Sequence, residues 1–219
     1  MEDGSARMFH GALVGRTDEG ERFNSRYMLN SAQSLYRQEK EAIGRRAATL
    51  ISEQDTAVID AGSTTEFLAE NVSTTSRATI ICYSINVFLR AAKQSEGRLI
   101  LAGGEYHRDS KMFRGSGTVA LLQTMRATKA FVSAGGVSNQ LGVTCSNQFE
   151  YDMKRTLMDY SMERILLVDH SKFDYAKNYH FGELSEFDIL VTDRELEPEY
   201  SRYCRENDVT VMVAHEEEP

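Results

Sequence analysis

The sequence is poor in the features that mark secreted, membrane and multidomain proteins. Its 219 residues include only two prolines and no low-complexity run, so no linker between domains is indicated. No apolar stretch has the length needed to cross a bilayer. The segment from Met1 to Ser5 lacks the basic and apolar regions of a secretory signal. We therefore expect a cytoplasmic protein without a membrane partner, folded as one compact domain.

Cysteine is scarce as well. Cys82, Cys145 and Cys204 are odd in number, lie far apart and form no CxxC pair, so we expect no metal site, and the apolar surroundings of Cys82 and Cys145 predict buried, reduced thiols. The pattern GxGxxG is also missing after the first apolar run, which weakens an interpretation as a nucleotide-binding module. The sequence therefore predicts no metal and no cofactor.

Basic residues are outnumbered by acidic ones. The chain has 25 Lys and Arg against 33 Asp and Glu, a formal net charge of −8. An acidic surface repels the phosphate backbone of nucleic acids. We therefore expect that this chain does not bind DNA over its broad surface.

What the sequence does contain is an alternation of short apolar runs with amphipathic stretches. We predict strands at residues 56–62, 78–84, 98–103, 129–135, 164–170, 187–193 and 209–214. We predict helices at residues 34–52, 63–71, 85–94, 118–126, 148–162 and about 198–206. Because strands alternate with helices and the runs are almost continuously apolar, the predicted fold class is α/β, with a Rossmann-like, mostly parallel sheet covered by helices on both faces.

Ligands of such sheets bind beyond the carboxyl ends of the strands, so the residues there are the candidates for function. The first predicted strand ends in Asp60 and Gly62, followed by Ser63, Thr64 and Thr65. Gly62 permits close approach of the backbone, and the start of the next helix offers free N–H groups and hydroxyls to a phosphate. The alternative is that Ser63 only caps the helix.

The next two strand ends carry further polar residues and glycines. Tyr83, Ser84 and Asn86 follow the second strand, where a capping role is the alternative to ligand contact. The third strand is followed by Gly103, Gly104, Glu105 and Tyr106. We expect the glycines to allow close backbone approach, and Glu105 and Tyr106 to contact sugar hydroxyls.

The fourth and fifth strand ends complete the series. Gly135 and Gly136 follow the fourth strand, and Lys154 lies on the next helix, where a solvated face is the alternative. Asp169 and Lys172 follow the fifth strand, where a lysine could neutralise a phosphate or a carboxylate and the aspartate could hold that lysine or a sugar hydroxyl. The five ends together predict one cleft with a phosphate subsite and a polyol subsite.

These same segments resemble the C-terminal effector-binding domain of DeoR-type bacterial repressors. The likeness runs from about Gly11 through Ala214 and is most diagnostic at residues 168–173 followed by 187–193. Residues 82–89 with 103–107 look especially like members that control deoxyribonucleoside catabolism. The family usually has Gly-Thr-Thr where this chain has Gly-Ser-Thr-Thr, and Thr-Asn where this chain has Tyr-Ser-Ile-Asn, a departure that could alter ligand choice.

The resemblance implies a fold shared with ribose-5-phosphate isomerase and the CoA transferases. It also implies a phosphorylated sugar or related catabolite as inducer, homo-oligomers, and operator DNA bound by an N-terminal helix-turn-helix. We expect that module to be missing, residues 1–30 to form a linker and lead-in segment, and residues 31–219 to form the effector-binding domain. No catalytic residue is then expected. The alternative is a sugar-phosphate isomerase, which needs a carboxylate base such as Glu105 or Asp169.

Overall fold

The fold is known from a computed structural model. The structure describes residues 35–74 and 76–214, together with the backbone of two short strands at residues 6–9 and 12–15. Most of the expected lead-in segment at residues 1–30 lies outside the described residues, as does the acidic tail at residues 216–218.

The described part of the chain forms strands and helices in alternation. The strands are β1 (Ala6–Phe9), β2 (Ala12–Gly15), β3 (Thr56–Ile59), β4 (Thr79–Cys82), β5 (Leu99–Leu101), β6 (Glu105–His107), β7 (Met112–Arg114), β8 (Ala127–Ser133), β9 (Gly136–Ser138), β10 (Gly142–Cys145), β11 (Ser161–Leu167), β12 (Tyr175–Ala176), β13 (Tyr179–Gly182), β14 (Ile189–Thr192) and β15 (Thr210–Val213). The α-helices are α1 (Arg37–Ala48), α2 (Ser63–Glu70), α3 (Ile85–Gln94), α4 (Ser116–Thr124), α5 (Gln148–Asp159) and α6 (Pro198–Glu206). Within these ranges, no helix is both long enough and apolar enough to span a membrane.

Seven parallel strands form the central sheet, in the order β15-β14-β11-β8-β3-β4-β5. Each corresponds to one of the seven predicted strands, and the α/β class is confirmed. The helix predicted at residues 148–162 is shorter than expected. It ends at Asp159 because Ser161 already pairs with Ala127 as the first residue of β11.

Helices cover both faces of this sheet. Alternate residues of β8 show why: Phe131 belongs to the core under α1, α2 and α3, whereas Ala130 and Val132 belong to the core under α4, α5 and α6. Side chains of a strand point alternately to the two faces, so a strand with apolar residues at every position has both faces buried. The prediction of helices on both faces is therefore confirmed.

The sequence interpretation missed the small antiparallel additions. β6 and β7 form a hairpin after β5, β10 pairs with β9 on one side and with β13 on the other, and β12 pairs with β2 of the β1–β2 hairpin. These strands have two to four residues each. A segment so short carries too few positions for a hydrophobic period to be visible.

Gly44 lies where α1 packs against α2, and its missing side chain allows the close approach. A Cβ atom added there would lie 2.6 Å from the carbonyl carbon of Phe67 and 2.7 Å from the nitrogen of Leu68. We expect Gly44→Ala to lower the free energy of unfolding by about 2 kcal/mol, because overpacking against backbone outweighs the gain in helix propensity.

Urea denaturation measures this loss. The matched control is Gly117→Ala in α4, where an added Cβ meets nothing within 4 Å. That variant should be as stable as the parent protein or slightly more so. A Gly44→Ala protein as stable as the Gly117→Ala protein would contradict the packing argument.

Candidate functional site

Four neighbouring strands of the central sheet end in polar residues, and three of these residues, Tyr83, Asp60 and Asp169, were candidates from the sequence. In sheet order β4, β3, β8 and β11, these ends carry Tyr83, Asp60, Ser133 and Asp169. Because parallel strands end at the same edge, the structure brings these side chains to one edge of the sheet. The helices, short strands and loops next to this edge carry the remaining candidates.

Asp60 is the centre of a buried polar cluster at this edge. It is fully buried and accepts hydrogen bonds from the hydroxyl of Tyr83 and from Lys154 Nζ. The backbone N–H and Oγ of Ser133 also donate to Asp60, at 3.0 and 2.8 Å. Lys154 Nζ donates in addition to the carbonyl oxygen of Ser133 at 2.8 Å. The cluster therefore joins α5 to the ends of β3, β4 and β8.

Lys154 is held as a buried cation. Burial alone would lower its pKa, but the carboxylates of Asp60 and Glu150 and the hydrogen bond to Asp60 raise the pKa above its usual value. Only 3% of Lys154 is exposed, so its ammonium group faces Asp60 rather than solvent. The alternative interpretation, in which Lys154 lies on a solvated face of α5, is therefore excluded. Sequence reasoning missed Glu150, which lies in the first turn of α5.

Burial also raises the pKa of the Tyr83 hydroxyl well above its usual value, and the charge of Asp60 adds to this. Tyr83 and Lys154 therefore hold their protons more tightly in the folded state than in the unfolded state. Such groups contribute stability that is fully present below their unfolded pKa values, 10.0 and 10.5, and is lost as the pH rises further.

We expect the free energy of unfolding to fall as the pH rises above about 9. Burial raises the pKa of Cys82 and of Cys145 from 9.0 to about 12, so these thiols begin the decline and Tyr83 and Lys154 steepen it. Urea titrations between pH 7 and the alkaline limit measure the slope. Tyr83→Phe should flatten the slope, whereas Tyr106→Phe on the exposed hairpin should not. A slope that is identical in all three proteins would contradict this assignment.

The loop from Gly62 to Thr65 lies directly beside this cluster. A Cβ atom at Gly62 would lie 2.5 Å from Ser133 Oγ, so only glycine lets the loop pack this closely against the end of β8. Ser63, Thr64 and Thr65 form the buried first turn of α2. Thr65 Oγ1 donates to the Gly62 carbonyl oxygen at 2.9 Å. The hydroxyls of Ser63 and Thr64 have no hydrogen-bond partner among the described residues.

The residues after β4 are engaged with neighbouring helices. Ser84 is buried and occupies the N-cap position of α3 without a side-chain capping bond. Asn86 Nδ2 donates to Glu66 Oε1 at 2.8 Å, and Glu66 also accepts from Arg90 at 3.2 Å. Asn86 therefore joins α3 to α2. Among the described residues, the Asn86 side chain forms no hydrogen bond with a member of the Asp60 cluster.

The residues after β5 lie on the β6–β7 hairpin. Gly103, Gly104, Glu105 and Tyr106 are all exposed. Gly104 has a φ of +158° and an added Cβ would lie 2.5 Å from the carbonyl oxygen of Arg114, so the start of the hairpin requires glycine. The Tyr106 ring packs against Phe113, with 5.4 Å between ring centroids. The hairpin borders the edge because Phe113 N–H donates to the Tyr83 carbonyl oxygen.

The glycine pair after β8 is explained by packing within the protein. Gly136 lies in β9, where an added Cβ would be 2.2 Å from the carbonyl oxygen of Tyr175. An added Cβ at Gly135 would lie 2.8 Å from the side chain of Lys177. Both glycines therefore allow the close approach of residues 175–177. The sequence interpreted the same pair as an approach to a ligand.

Asp169 and Lys172 lie at the end of β11, on the opposite side of β8 from the Asp60 loop. Asp169 is fully buried, and its Oδ1 accepts from the backbone N–H of Ser171 at 3.0 Å and from the Ser171 hydroxyl. Its Oδ2 has no hydrogen bond within the described ranges and lies 3.8 Å from Lys172 Nζ. One carboxylate oxygen at the edge is thus left without a hydrogen-bond donor.

Lys40 of α1 is a candidate that sequence reasoning missed. It is 2% exposed and donates to the Leu35 carbonyl oxygen at 2.6 Å. Burial lowers its pKa, the charge of Asp169 raises it, and Lys172 lowers it further, so Lys40 lies in the field of both residues. Its position three and seven residues before the buried Ile43 and Ala47 places it on the inner face of α1, a signal visible in the sequence.

Comparison with known proteins identifies the family to which a chain with this geometry belongs. The model of the DeoR C-terminal sensor domain matches residues 36–194. The deoxyribose operon repressor of Escherichia coli strain K12 is 34% identical over 188 residues, which cover 86% of this chain and 75% of that protein. The HTH-type transcriptional regulator IolR of Bacillus subtilis strain 168 is 30% identical over 179 residues, which cover 82% of this chain and 71% of that protein.

Among solved structures, ribose 5-phosphate isomerase A from Neisseria gonorrhoeae aligns with a TM-score of 0.42 at 15% identity, over 61% of this chain and 52% of that chain. The family match is independent of that likeness, because it covers residues 36–194 by sequence. The matched region contains the Asp60 cluster, the first turn of α2 and the end of β11. The chain belongs to the DeoR family, and residues 36–194 are its C-terminal sensor domain.

Proposed function

We propose that this sensor domain binds a phosphorylated sugar at the carboxyl edge of the central sheet, with the phosphate at the first turn of α2. In the whole repressor, binding of this effector would control the affinity of an N-terminal helix-turn-helix for operator DNA. The identities of the relatives support this class of function, since they are a repressor of a deoxyribose operon and a transcriptional regulator. A homo-oligomer is part of the same proposal.

The proposal rests on the hydrogen-bonding groups at the N-terminus of α2 for which the described residues supply no partner. Ser63 and Thr64 are 6% and 5% exposed, yet the structure as described offers their hydroxyls no hydrogen-bond partner. The first N–H groups of any helix also lack intrahelical partners, and the helix dipole favours an anion there. A phosphate would satisfy the hydroxyls and the N–H groups together.

The other candidates have distinct roles in this proposal. Lys172 and Lys40 supply positive charge from the end of β11 and from α1, and Asp169 Oδ2 offers an acceptor to a sugar hydroxyl. Lys154 acts through Asp60 and Ser133, which it holds in place beside the Gly62 loop. Glu105 and Tyr106 border the sugar from the β6–β7 hairpin.

Isothermal titration of the purified chain with pentose and hexose phosphates tests this function. We expect at least one of them to bind, and the matching unphosphorylated sugar to bind far more weakly at this site, because the phosphate provides the charge that the α2 N-terminus attracts. A domain that binds none of the sugar phosphates at millimolar concentration would contradict the proposal.

The enzyme alternative has less support from the site. An isomerase needs a carboxylate base next to the reacting carbons of the substrate. Glu105 is exposed on β6, and one oxygen of Asp169 is occupied by the N–H and hydroxyl of Ser171. We therefore propose that the domain is not an enzyme. Turnover of ribose 5-phosphate that Glu105→Gln abolishes would show the opposite.

A further inference from the structure

Strand β5 lies at one edge of the central sheet, and no strand in the described ranges pairs with its outer side. The carbonyl oxygen of Arg98 and the N–H of Ala102 form hydrogen bonds with β4, at 2.8 and 2.7 Å. Alternate residues of a paired strand bond to the same neighbour, so the N–H and C=O groups of Leu99 and Leu101 point away from β4. This edge therefore presents two donors and two acceptors to another chain.

The side chains of β5 are apolar and incompletely covered. Leu99, Ile100 and Leu101 are each partly exposed, although they pack against the two cores of the domain. Many proteins protect such an edge with a lysine, a proline or a β-bulge, and β5 contains none of these. The strand therefore lacks the features that prevent pairing with a second chain.

The helices on both faces of this edge extend its apolar surface. On one face α3 packs over β4 and β5, and its Leu89 is 52% exposed. On the other face, Thr118 Oγ1 of α4 donates to the Gly103 carbonyl oxygen just after β5, at 2.7 Å, and Leu121 of α4 is 36% exposed. Helix α4 contains no charged residue, although 26% of the chain is charged. Apolar side chains in a charge-poor surface are typical of the centre of a protein–protein interface.

The opposite edge of the sheet has different surroundings. Strand β15 is also mostly apolar, but α6, which packs beside it, exposes charged side chains that include Arg202 and Arg205. Pairing of two copies at β15 would bring the charged α6 helices together and remove water from them, which is unfavourable. The surroundings therefore favour β5 over β15 as an interface.

The geometry of β5 matches a second copy of this chain. Leu99 and Leu101 lie symmetrically about Ile100, so an antiparallel copy places Leu99 of each chain opposite Leu101 of the other. Each of these two pairs can exchange N–H···O=C bonds in both directions, and the two Ile100 residues then meet on the two-fold axis. We infer that two copies of this chain pair antiparallel along β5, which joins their seven-stranded sheets into one continuous sheet.

The charges around β5 are compatible with this self-pairing. Residues 96–111 carry three acidic and three basic side chains, so this surface is neutral in a chain whose net charge is −8. Antiparallel pairing also brings Arg98, exposed just before the strand, to the end of the other copy where Glu105 is exposed. Stable dimers bury roughly 1,200–2,000 Å², more than a three-residue strand provides, so the exposed leucines of α3 and α4 belong to the same interface.

This inference rests on the homo-oligomer of the proposed function and not on its effector. Ile100→Cys tests the pairing and its register, because opposed residues of a non-hydrogen-bonded antiparallel pair have Cα atoms about 4.5 Å apart, within the range of a disulfide. We expect a disulfide-linked dimer of Ile100→Cys on a non-reducing gel after mild oxidation. The parent protein should form none, since its three cysteines are buried. The matched control is Met212→Cys, the equivalent position of β15, which should also form none.

Sedimentation velocity of the full chain tests the contribution of the flanking helices. We expect the parent protein to dimerise, and Leu89→Lys to weaken the dimer about tenfold or more, because each copy then adds a like charge to the interface. Since Leu89 is exposed, the variant should fold as the parent does, which circular dichroism checks. The matched control is Met162→Lys, at a residue that is 79% exposed at the start of β11, and it should dimerise as the parent does.

Three results would overturn the inference. They are a parent protein that stays monomeric at high micromolar concentration, equal cross-linking of Ile100→Cys and Met212→Cys, and an unchanged dimer affinity of Leu89→Lys. A monomer that binds a sugar phosphate would contradict this interface and leave the proposed effector standing. A dimer that Ile100→Cys cross-links but that binds no sugar phosphate would support the interface and contradict the effector.

Discussion

Replacement of Lys154 by Met is expected to lower the free energy of unfolding by about 3–5 kcal/mol. The substitution keeps the apolar stem but leaves Asp60 as a buried carboxylate without its cation. Asp60 is fully buried and Lys154 is 3% exposed, so no water can replace the ammonium group without opening the cluster. The loss arises from the charge left behind rather than from the value of one ion pair. Urea denaturation at neutral pH measures it.

Two matched variants separate this explanation from a general sensitivity to lysine removal. Lys129 forms a similar ion pair with Asp55 at 2.9 Å, but both side chains are partly exposed, at 18% and 12%. Lys129→Met should therefore cost less than Lys154→Met, because Asp55 is nearer to solvent and keeps the hydrogen bonds from the Ser52 N–H and the Thr128 hydroxyl. Asp60→Asn combined with Lys154→Met should be more stable than Lys154→Met alone, because no buried charge remains. A double variant that is the least stable of the three would contradict the argument.

The same pair shows where sequence reasoning reaches its limit. Asp60 and Lys154 were both selected as site residues because each follows a predicted strand or lies on the next helix. Their pairing could not be predicted, because 94 residues separate them and the contact exists only when β3 and β8 are neighbours with α5 packed over their ends. Lys154, which we expected to contact a ligand, therefore forms a buried ion pair with Asp60.

The central sheet was predictable for a physical reason. Its strands are buried on both faces, so each produces a continuous apolar run, and each helix between them produces a period of 3.6 residues. The positions of the strand ends then follow directly from the sequence, which is why Asp60, Tyr83 and Asp169 could be placed at the edge of the sheet. The glycines at 135 and 136 were also found, but their close contact with residues 175–177 depends on strands too short to be recognised.

Lys40 illustrates a signal that was present but not used. It occupies the buried face of an amphipathic helix, where a lysine is costly unless a carboxylate or an anion lies nearby. Its surroundings, Asp169 and Lys172, come from a loop about 130 residues further along the chain. In a search for candidate site residues, a charged residue at an apolar helical position is therefore as informative as a polar residue at a strand end.

Replacement of both Ser63 and Thr64 by Ala is expected to weaken binding of the sugar phosphate effector about a hundredfold. Each hydroxyl would donate one charge-assisted hydrogen bond to the phosphate, at about 1.5 kcal/mol each, and the helix N–H groups would remain. Since neither hydroxyl has a partner within the described residues, the double variant should keep the Tm of the parent protein. Isothermal titration with the tightest sugar phosphate, together with a melting curve, measures both quantities.

The control for this variant is Thr124→Ala at the exposed end of α4, whose hydroxyl donates only to the Leu121 carbonyl oxygen at 2.7 Å. It should bind the effector as the parent protein does. An unchanged affinity of the double variant would remove the phosphate from the first turn of α2, even if the sugar phosphate still bound. A lower Tm with unchanged affinity would instead assign both hydroxyls to the folding of the loop. The combination of weaker binding and unchanged Tm is the result that only a ligand contact explains.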